Sequence, residues 1–163
     1  MGLFRRAKAR ATSNERHATT MPVKGEAFTQ EVIAEESFQD VLADAAGGWA
    51  LESHDVVVAT ALIPEPTNPV DPTAVRVDLI GAPGTLARQT GYLPPEDARR
   101  LGTPLRMLLD EGIVVECPGR IVGGWNRGPN DVGPFAIWLS VPDADHLLEL
   151  ATDPAKRPTD DPA

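Results

Sequence analysis

The sequence predicts a mainly β fold of the α+β class: a small six-stranded β-barrel with two or three short flanking helices. Three observations predict it. β-branched or alternating runs of about five to eight residues recur along the chain, each bounded by glycine or proline. One extended helical pattern, beginning at Pro94, separates the fourth strand from the last pair. The 163 residues, 42% of them hydrophobic, suffice for one core of ordinary domain size. Closing such strands into a barrel removes exposed edges and gathers loops at a rim, where they form a groove.

Residues 1–29 carry six Lys+Arg against two acids, and Leu3 and Phe4 are the only large apolar pair before Gly25. This stretch buries too little surface to offset its ordering entropy and reads as a disordered basic arm. The alternative is an arm that touches phosphate or an anionic surface. Residues 30–142 form the expected domain, and residues 143–163 an acidic tail.

Within the domain, Glu31 to Phe38 reads as the first strand. Gln39 to Ala46 follows as a short helix, with Val41, Leu42 and Ala45 on one side and Gly47-Gly48 as its stop. Trp49 and Leu51 are expected to cover the core. His54 opens the second strand, whose run from Val56 to Ile63 is β-branched enough to be buried. Ala74 to Ile80 alternates as a half-buried third strand, Gly81-Ala82-Pro83-Gly84 is a tight turn, and Thr85 to Leu93 returns as the fourth. Pro94-Pro95-Glu96-Asp97 starts a helix, with proline in the first turn and acids at the positive end of the dipole. Thr103-Pro104 divides that helix into two short pieces or kinks it. Ile113 to Cys117 is the fifth strand, continuing as Arg120 to Val122 after a bulge or bend at Pro118-Gly119. A glycine-rich hairpin loop from Gly123 to Gly133 leads to the last strand, Phe135 to Val141. His146 to Leu150 can form a helical turn, and Pro154 to Ala163 reads as disordered tail.

The connection between strands two and three organises the chain. In Ile63 to Val77, prolines 66, 69 and 72 each fix φ and extend the preceding residue, so neither helix nor central strand continues. The result is a stiff turn presenting Asn68 and Asp71 at one end of the sheet. Either these two satisfy local amides as Asx-turn residues, or they serve a ligand.

Other chemistry is not indicated. No Gly-Lys-Ser/Thr phosphate loop is present, and one cysteine with three scattered histidines (His17, His54, His146) lacks metal-ligand spacing. His54 beside Asp55 has no readable nucleophile near it. The expectation is no enzyme, no cofactor and no metal. A lone Cys117 suits a reducing cytoplasm, and no apolar run approaches the ~20 residues of a membrane span. Residues 30–142 hold seven Lys+Arg against sixteen acids. Such a body is repelled by polyphosphate, so any nucleic-acid contact has to be local.

Glu65-Pro66-Thr67-Asn68-Pro69-Val70-Asp71-Pro72-Thr73-Ala74-Val75-Arg76-Val77, followed by Gly91-Tyr92-Leu93-Pro94, closely resembles the HIRAN domain, over roughly residues 31–142. The resemblance implies an OB/SH3-like barrel that binds the free 3′ end of single-stranded DNA in replication or repair, beside a motor or repair protein. It implies Asp71 at the terminal hydroxyl, Tyr92, Phe135 and Phe38 as aromatic contacts, and Asn68 and Val70 in the same turn. Arg88, Arg99 or Arg127 would hold phosphate. The chain departs from the family pattern at Val70, where an aromatic stands, at Glu36 and Pro95 in place of basic residues, and at Ser37 in place of tyrosine. The alternative is a module of the same fold that binds a protein segment or another ligand instead of DNA; in either case a monomer is expected.

Overall fold

The computed structural model describes residues 19–81 and 87–159. Residues 1–18 of the expected arm (1–29), most of the turn expected at 81–84 and residues 160–163 of the expected tail (143–163) lie outside these. The described chain is mainly β with three helices. Its main sheet runs β2 (Gln30–Glu31), β9 (Ala136–Leu139), β6 (Ile113–Gly123), β3 (His54–Pro64), β4 (Val75–Leu79) and β5 (Arg88–Tyr92), all antiparallel. β1 (Thr19–Pro22) adds in parallel to the first half of β6, and β7 (Trp125–Asn126) pairs with β8 (Val132–Gly133) as a separate ribbon.

The sheet curls into a half-barrel whose two edges meet at one point. Just after β2, Ile33 N–H donates to the Tyr92 carbonyl at 2.8 Å, and Tyr92 N–H returns the bond at 3.0 Å. Gly91 permits that approach, because a Cβ there would overlap the Ile33 carbonyl oxygen.

One core fills the inside. Inward residues alternate along the strands, as Val75, Val77 and Leu79 do on β4 and Val115, Cys117 and Ile121 on β6. Helix α2 (Pro95–Asp110) closes it with Ala98, Leu101, Leu105 and Leu108, spaced three and four apart on one face. Helix α1 (Gln39–Ala46) contributes Leu42 and Ala43 and stops at Gly47 with φ 93°, so the expected helix and its stop are both present.

Several expectations are corrected. The first strand is two residues long, since Ala34 turns the backbone at φ 64° and Glu35–Phe38 forms a 3₁₀ turn. Side chains replace the missing strand beside β9. Gln39 accepts from Phe135 N at 2.8 Å and donates to Phe135 O at 2.9 Å, and Glu35 accepts from Ile137 N at 3.5 Å. Burial pushes the Glu35 carboxyl above its usual range.

β6 is continuous, its register with β3 unbroken from Gly123 to Val115. The Pro118 carbonyl accepts from Ser140 N, so its missing N–H points to the same side. There it falls in the gap between β1, paired to residues 113–116, and β9, paired to residues 119–122. The proline leaves no ladder bond unmade. The register shift lies instead between Val77 and Asp78, against β5. Of the two alternatives for α2, division into separate pieces does not occur: it is one helix with Pro104 inside it.

The arm is ordered from Thr19, because Met21 is buried in the core. The tail is ordered too: α3 (Ala144–Thr152) buries Leu147, Leu150 and Ala151, and a 3₁₀ turn at Pro154–Lys156 leads to Arg157, which pairs with Glu111 at 2.8 Å. The last strand is shorter than expected, Ala136–Leu139. Leu51 does not cover the core, being 68% exposed, whereas Trp49, 46% exposed, lays its ring 4.9 Å from the core residue Phe135 as expected.

Candidate functional site

The proline turn is closed by main-chain bonds from Glu65 N to Ala74 O (2.9 Å), Asn68 N to Glu65 O (3.0 Å) and Ala74 N to Asp71 O (3.1 Å). Asn68 Oδ1 accepts from the amides of Val70 and Asp71 at 2.9 and 3.1 Å, and its Nδ2 donates to Glu65 at 3.3 Å. Asp71 Oδ1 accepts from Thr73 N at 2.9 Å and from the Thr73 hydroxyl at 2.6 Å. Both residues thus make Asx-turn bonds. Asp71 Oδ2 accepts no hydrogen bond among the described residues, so one carboxylate oxygen is fixed and the other left open. The Thr73 hydroxyl and amide hold this carboxyl below its usual range, and the Arg99 guanidinium adds to the effect.

An ion triad, with Asp78 buried and Arg76 and Glu65 partly buried, fixes the turn to the sheet. Arg76 binds Asp78 through two nitrogens at 2.9 and 3.1 Å and Glu65 through a third at 3.1 Å. Arg76 lies across from Tyr92 on β5. Burial, with the Glu65 carboxylate close by, pushes the Tyr92 hydroxyl above its usual range, while Gln89 bonds it. The Arg76 and Asp78 partnership was visible as an i, i+2 pair on one strand face, but sequence reasoning passed over it.

Helix α2 faces the turn. Pro66 and the α2 residues Thr103, Arg106, Met107, Leu109 and Asp110 line a cavity of about 360 Å³. The Arg106 guanidinium lies over Gly102. Arg99 brings one cation to the flank of Asp71, while Arg106 lies in the cavity beside Pro66.

The expected site residues separate into two groups. Asn68, Val70, Asp71 and Tyr92 gather around the turn, where Val70 is 91% exposed. Phe135 is 1% exposed, its ring 4.9 Å from Trp49 and 5.2 Å from His54, and Phe38 is also buried. Neither ring offers a face to a ligand in this structure. Arg88 pairs with Asp44 at 2.8 Å, and Arg127 pairs with Glu52 and Asp131, leaving Arg99 as the foreseen arginine beside Asp71. Asp55 binds Arg120 at 2.6 Å rather than orienting His54, whose Nδ1 lies 2.9 Å from Gly123 O. Among the described residues no group of three or more His, Cys, Asp or Glu is placed to hold a metal, and no helix is long and apolar enough to cross a membrane.

Comparison with protein-family models, with curated proteins and with solved structures found no match.

Proposed function

We propose that the chain is a HIRAN-like binding module, built on an OB/SH3-like barrel plan, that takes the free 3′ end of single-stranded DNA at the proline turn. The observation that carries this reading is Asp71: an ionised carboxylate on a rigid turn, one oxygen held by Thr73, the other open, with Arg99 beside it. A carboxylate accepts from a terminal 3′-hydroxyl and repels a 3′-phosphate, so it separates a free end from a continuing strand. Arg99 supplies a cation for the phosphates behind that end. Val70 offers the last base an apolar surface. It has no π-face, so affinity falls short of the ~1–3 kcal/mol per base that aromatic stacking adds. Tyr92 holds Glu65 and the turn in place, while Phe135 and Phe38 act as core. Any ATP-driven step belongs to a partner motor or repair protein.

A second reading is favoured by the closed aromatic site and the acidic body: a module of the same fold that binds a protein segment. Fluorescence anisotropy with short single strands ending in 3′-hydroxyl or 3′-phosphate separates the two. The first reading expects binding of the hydroxyl end alone, weakened about tenfold or more by Asp71→Ala and reduced by salt and by Arg99→Ala. Equal binding of both ends, or of neither, removes the first reading.

A further inference from the structure

The end of the sheet away from the proline turn carries exposed apolar side chains that DNA-end binding does not use. β3 runs eleven residues from the turn at Pro64 to His54 at this end. Beside it, Ala50 bridges in parallel to Trp125, and β7 pairs with β8, so Leu51, Asn126 and Val132 stand in one row across a small ladder. Trp49 lies two residues before Leu51, its ring resting edge-on against Phe135 and its remainder exposed beside the ladder. Trp49, Leu51 and Val132 are 46%, 68% and 50% exposed.

The ladder is held rigid from behind. Arg127 donates through Nε to Leu51 O at 2.7 Å, lies 5.5 Å from the centre of the Trp125 ring, and reaches Glu52 at 3.7 Å and Asp131 at 3.5 Å. One guanidinium between two carboxylates leaves the rim net negative. A preorganised patch of tryptophan and leucine with a charged rim has the composition of an interface anchor.

We infer that this patch is the docking site of the chain's own amino-terminal segment, with Leu3 and Phe4 against Trp49 and Leu51 and the following basic residues facing Glu52 and Asp131. Charge favours it. Residues 1–18 hold five Lys+Arg and one Glu, whereas the rest of the chain holds ten Lys+Arg against twenty-three acids. Reach allows it. Thr19 pairs with Ile113 at the start of β6, and the patch lies at the Gly123 end, roughly 33 Å along the strand. The chain from Phe4 to Thr19 spans up to ~50 Å. The larger apolar groove, about 620 Å³ between Pro22, Val57, Ala59 and Pro118, has one cation and one anion on its lining, Lys24 and Glu116, and so lacks the net negative rim that complements a basic segment.

The test is acrylamide quenching of tryptophan fluorescence in the full chain. Leu3→Ser/Phe4→Ser is expected to raise the quenching constant about 1.5-fold by uncovering one tryptophan of three. Leu51→Ser is expected to raise it equally, with no further rise when the two changes are combined. Sodium chloride at about 0.5 M moves the unmodified protein part of the way. Both changes fall at exposed or terminal positions, so misfolding does not mimic the result. Equal quenching in the parent and arm variant overturns the inference. Additive effects of the two changes also overturn it, as does a difference that disappears on dilution from about 100 to 1 µM, which would mean docking between copies.

Discussion

The thiol of Cys117 lies beneath Thr60, whose hydroxyl donates to the Cys117 carbonyl at 2.8 Å and sits 3.3 Å from the sulfur. Burial pushes this thiol up to about 11. Because the folded value exceeds the unfolded one, its contribution to stability is complete below the unfolded pKa of about 8.5 and is lost as pH rises toward the folded value. Two outcomes are expected. An aromatic disulfide reagent at neutral pH leaves the native protein unmodified and modifies one thiol in denaturant, and the urea midpoint falls more steeply above about pH 9 than it does for Cys117→Ala. Rapid native modification would show that the site opens. Asp71 has the opposite sign: its lowered pKa stabilises the fold above the unfolded value, and that contribution is lost as pH falls through the folded one. The roles of Asn68 and Asp71 in the turn were legible because their bonds reach only two or three residues along the chain. That Phe135 is the residue Trp49 covers was not, because Trp49 and His54 reach it from distant stretches.

At the scale of elements, α2 persists through Pro104 because its apolar face stays in phase on both sides. A proline in a helix interior costs about 3 kcal/mol. Leu101, Leu105 and Leu108, all buried, stabilise by roughly 1.5–3 kcal/mol each and outweigh it. Gly102 in the same helix is a weak point. A Cβ added there meets the far end of Arg106 at 2.7 Å, which can swing away. Gly102→Ala is therefore expected to stabilise the fold by about 0.5–1 kcal/mol, read as a higher urea midpoint at unchanged slope. A loss of more than about 1 kcal/mol would mean that Arg106 is held where it lies. α1, the body of β3 and the start of α2 were legible from periodicity and stop signals. The shortness of β2 was not, since the groups that substitute for a strand beside β9 are the side chains of Glu35 and Gln39.

For the whole molecule, the described parts of the segments assigned to arm and tail, residues 19–29 and 143–159, belong to the folded unit. β1 covers the open half of β6, and α3 packs its Leu147, Leu150 and Ala151 into the common core. Leu147, fully buried, is expected to cost about 2–5 kcal/mol when changed to alanine, with fluorescence and far-ultraviolet circular dichroism reporting one coincident transition. Little loss, or two transitions, would make α3 an appendage. The basic composition of the first twenty-nine residues concealed β1, because a four-residue strand with one buried side chain, Met21, leaves almost no periodic trace. By itself the sequence determined the mainly β class, the stiff connection after β3 and the stop of α1, since these depend on φ restriction and on apolar spacing within a few residues. Only the tertiary structure decided which aromatic rings are closed, which arginine stands beside Asp71, and how one bridge at Gly91 joins the sheet's edges. Those outcomes follow from contacts between segments far apart in the chain, whose energies are not written in any local pattern.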